Sequence, residues 1–313
     1  MRVVFLGTPT FAVPALRALL DHSYDVCAVI TQPDRPSGRG QKLLASPIKV
    51  VAQKNGIQIF QPDRIRNEEN REIFRNLRPD FIVTVAYGQI IPGWILQFAP
   101  SGAINIHASL LPRYRGAAPV AWAILRGETV TGITTMLMQE MLDSGPILLQ
   151  QEVPISLTKT AGELSEDLSL AGASLLIKTL DGLKNDAIAP RMQDESQVSW
   201  APRITKEMAH VSWENRALDI HNRIRAMNPW PVAYTDFRGE RLHLWRSLPA
   251  SQAFHRQALP GTFLELLQQG IRVQCGEGTA LDLLEVQRPS KNRVSGRDFA
   301  MGARMRAGEL VFH

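Results

Sequence analysis

The sequence predicts an α/β protein: a Rossmann-like, mostly parallel sheet followed by a C-terminal OB-like β-barrel domain. Three observations lead there. Strand-like and helix-like segments alternate up to residue 183, the pattern of βαβ units packed into a parallel sheet. After residue 185 the texture turns polar, and a stretch carrying Pro190 and Pro202 reads as a linker. Beyond Val232, short apolar pieces recur between turn signals, as in a small barrel. The expected division is a first domain over 1–189, a linker over 190–205 and a second domain over 206–313. A chain of 313 residues is long enough for two such cores.

Each element has its own reason. Residues 2–6 form an apolar strand that stops at Gly7, and 11–22 place Phe11, Ala15, Leu16 and Leu19 on one helical face. Strands are expected at 26–31, 57–60, 81–86, 103–106, 133–138 and 147–153, where apolar runs lie between turn residues. Helices are expected at 66–77, 119–125 and, closing the unit, 161–183. Residues 206–227 read as one helical segment stopped by Asn228-Pro-Trp-Pro231, because proline cannot continue a helix. The barrel strands are expected at 233–237, 241–245, 261–266, 271–275 and 280–286, and small barrels of this kind grip nucleic acid.

Composition removes several function classes. No apolar run approaches the roughly 20 residues of a membrane span. The first strand runs into Thr8-Pro9 with no small-residue cleavage site, so a secretory signal is not expected and a cytoplasmic location is. Cys27 and Cys275 sit in strand-like stretches and read as small core residues rather than a disulfide or a catalytic thiol. No Cys/His cluster has zinc spacing, so no metal is expected. The net charge is +5. Residues 206–313 hold 15 Lys/Arg against 11 Asp/Glu, and residues 1–205 hold 20 against 19. The last third therefore carries +4 of that excess, which attracts polyanions.

The densest motif is Asn105-Ile-His107-Ala-Ser-Leu-Leu-Pro112. Side chains alternate along a strand, so Asn105 and His107 share a face. An amide can donate to a developing oxyanion, and an imidazole can shuttle a proton. The plainer alternative is a hydrogen-bonded core histidine beside a turn-forming Asn. Asp143, in Leu142-Asp-Ser-Gly145, could orient that histidine or could merely form an Asx turn. The loop 109–116 brings Pro112, Arg113, Arg115 and Gly116 to the same expected sheet edge. Gly7-Thr8-Pro9 lacks the Gly-x-Gly-x-x-Gly pattern and loses a backbone donor at Pro9, which argues against a dinucleotide dehydrogenase. Residues 32–42 are rich in Gly and Pro, with Arg35, Arg39 and Lys42 against Asp34 alone, which suits a phosphate backbone. Trp230 and Tyr234 could be stacking platforms for bases, but Trp230 reads better as a core aromatic between its prolines.

Together these pieces closely resemble the methionyl-tRNA formyltransferase family. The resemblance rests on Gly7-Thr-Pro-Thr-Phe-Ala12, Gln32-Pro-Asp-Arg-Pro-Ser-Gly-Arg-Gly40, Val85-Ala-Tyr-Gly88, Asn105-Ile-His-Ala-Ser-Leu-Leu-Pro112, Arg115-Gly-Ala-Ala-Pro119, Leu142-Asp-Ser-Gly145 and Asn228-Pro-Trp-Pro-Val-Ala233. It implies transfer of a formyl group from 10-formyltetrahydrofolate, the co-substrate, to the α-amino group of methionyl initiator tRNA. It also implies Asn105, His107 and Asp143 as the catalytic trio. Ala86, Tyr87, Gly88, Ile90, Ser109, Leu110, Leu111, Pro112, Met138 and Leu142 would border the folate. Arg35, Arg39, Lys42, Arg288, Lys291, Arg293 and Arg304 would meet the tRNA. A monomer is expected. Rival readings are another small amine acceptor, a hydrolase releasing formate, and a nucleic-acid-binding protein whose α/β half is structural.

Overall fold

The computed structural model describes residues 1–37, 42–251 and 258–312. These divide into two compact units. The first comprises Met1–Pro119, Val130–Pro154 and Ser165–Ala201; the second comprises Val120–Thr129, Ile155–Leu164 and Pro202–His313. Among the described residues, no helix is long and apolar enough to cross a membrane.

The strands of the first unit are β1 (Arg2–Gly7), β2 (Asp25–Ile30), β3 (Arg35–Ser37), β4 (Lys42–Leu44), β5 (Ile59–Phe60), β6 (Phe81–Val85), β7 (Gly102–His107), β8 (Val130–Leu137) and β9 (Ile147–Pro154). Seven of them form one sheet in the order β5-β2-β1-β6-β7-β8-β9, while β3 and β4 pair with each other. From β5 to β7 every pair is parallel; β8 runs antiparallel to both β7 and β9. The sheet is thus mostly parallel, as expected. β1 and β6 lie in its interior with residues 3–6 and 81–85 buried, which is why they read as unbroken apolar runs.

The helices before residue 185 are α1 (Val13–Asp21), α2 (Pro47–Lys54), α3 (Arg71–Leu77), α4 (Gly93–Leu96), α5 (Pro119–Leu125) and α6 (Ala161–Lys184), of which α5 from Val120 and α6 up to Leu164 count with the second unit. Helix α2 is capped by Ser46, whose Oγ accepts from the Lys49 N–H at 3.0 Å, and Pro47 takes the position where a missing donor costs least. The register sets the site. Gly7 lies opposite Val85 and Thr84 opposite Asn105, so the carboxyl ends of β1, β6 and β7 open on one edge. Ligands of open parallel sheets bind at such an edge.

The second unit holds α7 (Ala217–Ala226), β10 (Ala233–Phe237), β11 (Glu240–Pro249), β12 (Phe263–Leu266), β13 (Ile271–Gln274), β14 (Ala280–Gln287), β15 (Val294–Ser295) and α8 (Gly296–Gly302). Its sheet is antiparallel in the order β10-β11-β14-β13-β12, with β15 on β14. Residues 310–312 reach both outer strands, through a Phe237–Phe312 bridge and a Thr262–Leu310 bridge. Among the described residues no ladder joins β10 to β12, so the sheet is seen as an open path rather than a closed barrel.

Two expectations fail here. Residues 206–227 are not one helix: a short 3-10 turn at Glu207–Ala209 gives way to extended chain, and α7 begins at Ala217. Sheet contacts outcompete helical periodicity, because the Val211 N–H donates to the Tyr234 carbonyl and buried Trp213 donates from Nε1 to Thr235 Oγ1 at 2.8 Å. Trp230, expected in the core, is 54% exposed. The buried tryptophans of this unit are instead Trp213, stacked on Phe312 at 5.2 Å, and Trp245.

Candidate active site

At the carboxyl end of β7, Asn105 and His107 lie on one face and both meet Asp143. His107 is buried; its Nδ1 stands 3.6 Å from Asp143 Oδ2, and its Nε2 lies 2.9 Å from the Tyr114 carbonyl. A carbonyl can only accept, so Nε2 carries the proton and Nδ1 is the ring atom left to exchange one. Asn105 Nδ2 reaches Asp143 Oδ1 at 3.5 Å, the outer limit of a hydrogen bond. The half-buried amide is therefore held loosely and keeps donor capacity in hand.

Asp143 is 8% exposed and sits in the left-handed region at φ 52°, a conformation Asp tolerates better than most residues. Its Oδ2 accepts from the Gly116 N–H at 2.9 Å. Gly116 has φ +118°, and a Cβ there would stand 2.8 Å from the Ala201 carbonyl oxygen, so only glycine brings this N–H to the carboxylate. The turn carrying Asp143 is gripped by Gln193, whose Nε2 donates to the carbonyls of Asp143 at 2.8 Å and Gly145 at 2.7 Å. Arg115, 1% exposed, donates to Gln193 Oε1 and forks onto Glu195 at 2.7 and 3.2 Å. That guanidinium holds the exposed Glu195 carboxyl below its ordinary range. Gln193 and Glu195 lie in the stretch expected to be a linker, and no local pattern singles them out. No sequence signal marks them, because the burial of Arg115, which calls for an acidic partner, is seen only in the fold.

Known proteins carry both parts of this chain. Residues 1–180 match the model of the family described as formyl transferase, and 203–304 match formyl transferase, C-terminal domain. A methionyl-tRNA formyltransferase of Solibacter usitatus is 47% identical over 311 residues, covering 99% of this chain and 98% of the relative. That of Bacillus subtilis is 44% identical over 310 residues, covering 99% and 97%. The chain belongs to the methionyl-tRNA formyltransferase family. Among solved structures, the N-formyltransferase from Helicobacter canadensis, in complex with folinic acid and dTDP-3-aminofucose, shares the fold. Its TM-score is 0.66 at 19% identity, with 90% of this chain and 98% of that chain covered.

The residues that the family resemblance puts beside folate occupy different environments. Ala86 and Gly88 are exposed, at φ 47° and 89°, and Ile90 is 81% exposed. Leu142 is 56% exposed, while Leu110, Pro112 and Met138 are half-buried. These present surface at the sheet edge. Tyr87, Ser109 and Leu111 do not. Tyr87 points into the apolar core, its hydroxyl finds no partner among the described residues, and burial pushes its pKa up. What faces outward is its carbonyl, which accepts from Thr8 Oγ1 at 2.9 Å and Gln32 Nε2 at 3.3 Å. Ser109 is fully buried and donates to the Arg113 carbonyl at 2.6 Å. Leu111 packs on Met136 and Ile147, while its N–H donates to Thr134 Oγ1 at 3.2 Å. Thr134, absent from the expected set, pins this loop to β8 by also donating to the Ser109 carbonyl at 2.6 Å.

Among the residues expected to meet tRNA in this family, Arg39 lies outside the described residues. Arg35 is exposed on β3 and donates to Gln32 Oε1; Lys42 begins β4. Arg288, Lys291, Arg293 and Arg304 are all exposed in the second unit. Arg293 lies over the Trp245 ring at 3.2 Å, and Arg288 lies 5.7 Å from Phe237. Tyr234 already has Arg241 over its ring at 3.9 Å. Stacked guanidinium groups keep their outer donors free for phosphate.

Proposed function

We infer that this chain transfers the formyl group of 10-formyltetrahydrofolate to the α-amino group of methionine on initiator tRNA. The product is N-formylmethionyl-tRNA for translation initiation. The observation that carries this reading is the near full-length likeness to the Solibacter usitatus methionyl-tRNA formyltransferase, 47% identical over 99% of the chain. The meeting of Asn105 and His107 at Asp143 supplies suitable chemistry.

The neutral α-amine attacks the formyl carbon, a C–N bond forms, and negative charge gathers on the formyl oxygen. Asn105 Nδ2 and the protonated Nδ1 of His107 donate to that oxyanion, each worth about 3–4 kcal/mol when well placed. Collapse breaks the bond to the folate nitrogen, which leaves with a proton. His107 Nδ1 gives its proton to the leaving folate nitrogen and is then free to take the one the amine releases, directly or through water oriented by Asp143. The Tyr114 carbonyl holds the ring from the far side, so Nδ1 faces the reaction. Ala86, Gly88, Ile90, Leu110, Pro112, Met138 and Leu142 offer the folate its bordering surface, with Tyr87, Ser109 and Leu111 supporting them from beneath.

The tRNA is held by charge. Arg35, Arg39 and Lys42 take the acceptor end, and Arg288, Lys291, Arg293 and Arg304 take phosphates farther along. Residues 1–189 serve as the catalytic domain and 206–313 as the tRNA-binding domain, joined by 190–205. The second domain is OB-like, a reading supported by residues 310–312 reaching both outer strands of its sheet. The enzyme works in the cytoplasm as a monomer. The test is transfer of labelled formyl from 10-formyltetrahydrofolate to methionyl initiator tRNA, with uncharged tRNA as control. Label on the charged tRNA alone establishes the reaction; folate consumed without transfer moves the function to another acceptor or to water.

A further inference from the structure

Residues 193 and 195 fall between the stretches matched by the two family models, 1–180 and 203–304. Yet they close a chain of bonds onto the candidate active site. A carboxamide has two N–H donors and two acceptor positions. In Gln193, 8% exposed, all four are engaged: Nε2 gives to the Asp143 and Gly145 carbonyls, and Oε1 receives from Arg115 Nε at 3.1 Å and from its terminal nitrogen at 2.8 Å. Guanidinium carries donors only, so an inverted amide would set N–H against N–H on one side and oxygen against two carbonyls on the other. Arg115 therefore dictates which way Gln193 points, and Glu195 fixes Arg115 with a two-pronged bond.

We propose that Gln193 is a positioning residue for formyl transfer: oriented by Arg115, it holds the Asp143 turn so that the carboxylate faces His107 and Asn105. Arg115 acts on the same carboxylate by a second route. Its own backbone pairs with Ser199 and Ala201, and the next N–H in the chain, that of Gly116, donates to Asp143 Oδ2. The turn is thus held by its main chain and its side chain at once. A small displacement of such a group is costly, since about 1 Å of misplacement can lose about 100-fold in rate. The proposal rests on the reading of Asp143 as a working group of the site.

The test uses two near-isosteric variants of the full chain, Gln193→Glu and Gln193→Met. The first keeps the partner of Arg115 and removes both donors to the turn. The second removes the donors without burying a charge, should the first fail to fold. Folding is checked by thermal melting. The expected result is a fall in kcat of about 100-fold with KM for folate and tRNA unchanged. A second readout is the double variant with Asp143→Asn, which should be no slower than Asp143→Asn alone, because Gln193 acts through Asp143. Wild-type kcat in a folded variant, a loss carried by KM, or losses that multiply with Asp143→Asn would each overturn the proposal. Full activity in Asp143→Asn by itself would instead remove the reading of Asp143 beneath it, a distinguishable failure.

Discussion

At the sheet edge of the first unit His107 and Asp143 are buried and held by fixed partners; in the second unit the four basic groups expected to meet tRNA stand exposed. His107 and Asp143 are 6% and 8% exposed, and each has a fixed partner. Arg288, Lys291, Arg293 and Arg304 lie open to solvent. The contrast suits the work proposed for each set. A developing oxyanion needs donors fixed beforehand in a dry place, where they act without reorganising. A polyanion needs charges at its surface that replace its counterions, and these can remain mobile. Loss of one group should therefore be severe in the first unit and graded in the second.

The sharpest way to break this contrast is His107→Ala, expected to slow formyl transfer by about 10²–10⁴-fold while tRNA binding by filter assay persists. Asn105→Ala should follow, at about 10²–10³-fold in turnover. In the second unit, replacing Arg288, Lys291, Arg293 and Arg304 by Ala one after another should weaken tRNA binding stepwise. The slope of log affinity against log salt should shrink by roughly one for each phosphate left without its cation. A salt-independent loss would mean that these residues shape the unit rather than bind the tRNA.

Two smaller effects concern stability. Tyr87→Phe removes a buried hydroxyl that has no partner among the described residues and should raise the unfolding free energy by about 1 kcal/mol, read by urea titration. In the second unit, burial holds His221 and His243 below the ordinary 6.5, so the unfolded chain takes up protons more readily there. That contribution is complete above pH 6.5 and lost as pH falls toward the folded values. Melting followed from pH 8 to 5 should show a declining Tm, and His221→Asn should flatten the decline.

The parallel part of the sheet is legible because buried strands are written as uninterrupted apolar runs: 81–85 is buried throughout, within a residue of the strand expected at 81–86. Asn105 and His107 were legible as a pair from strand alternation alone. What was hidden depended on distant partners. The segment before α7 has enough apolar spacing to imitate a helix, and only Tyr234 and Thr235 on β10 draw it into extended form. Gln193 could not be found, because one glutamine in a polar stretch looks like any other until Arg115, 78 residues away, is seen against it. The motif implies Tyr87 at the ligand edge, while the left-handed turn at Ala86 is followed by a ring in the core and only the Tyr87 carbonyl at that edge.

The bond chain from Glu195 through Arg115 to Gln193 also has a consequence for inheritance. A change that removes Arg115 leaves the Gln193 amide free to invert, and a change of Gln193 to an apolar residue leaves the buried guanidinium with Glu195 as its remaining side-chain acceptor. Neither single step is benign, so descendants of this gene that abandon the arrangement should have exchanged both positions together. Glu195, solvated and replaceable by water, has more freedom to drift.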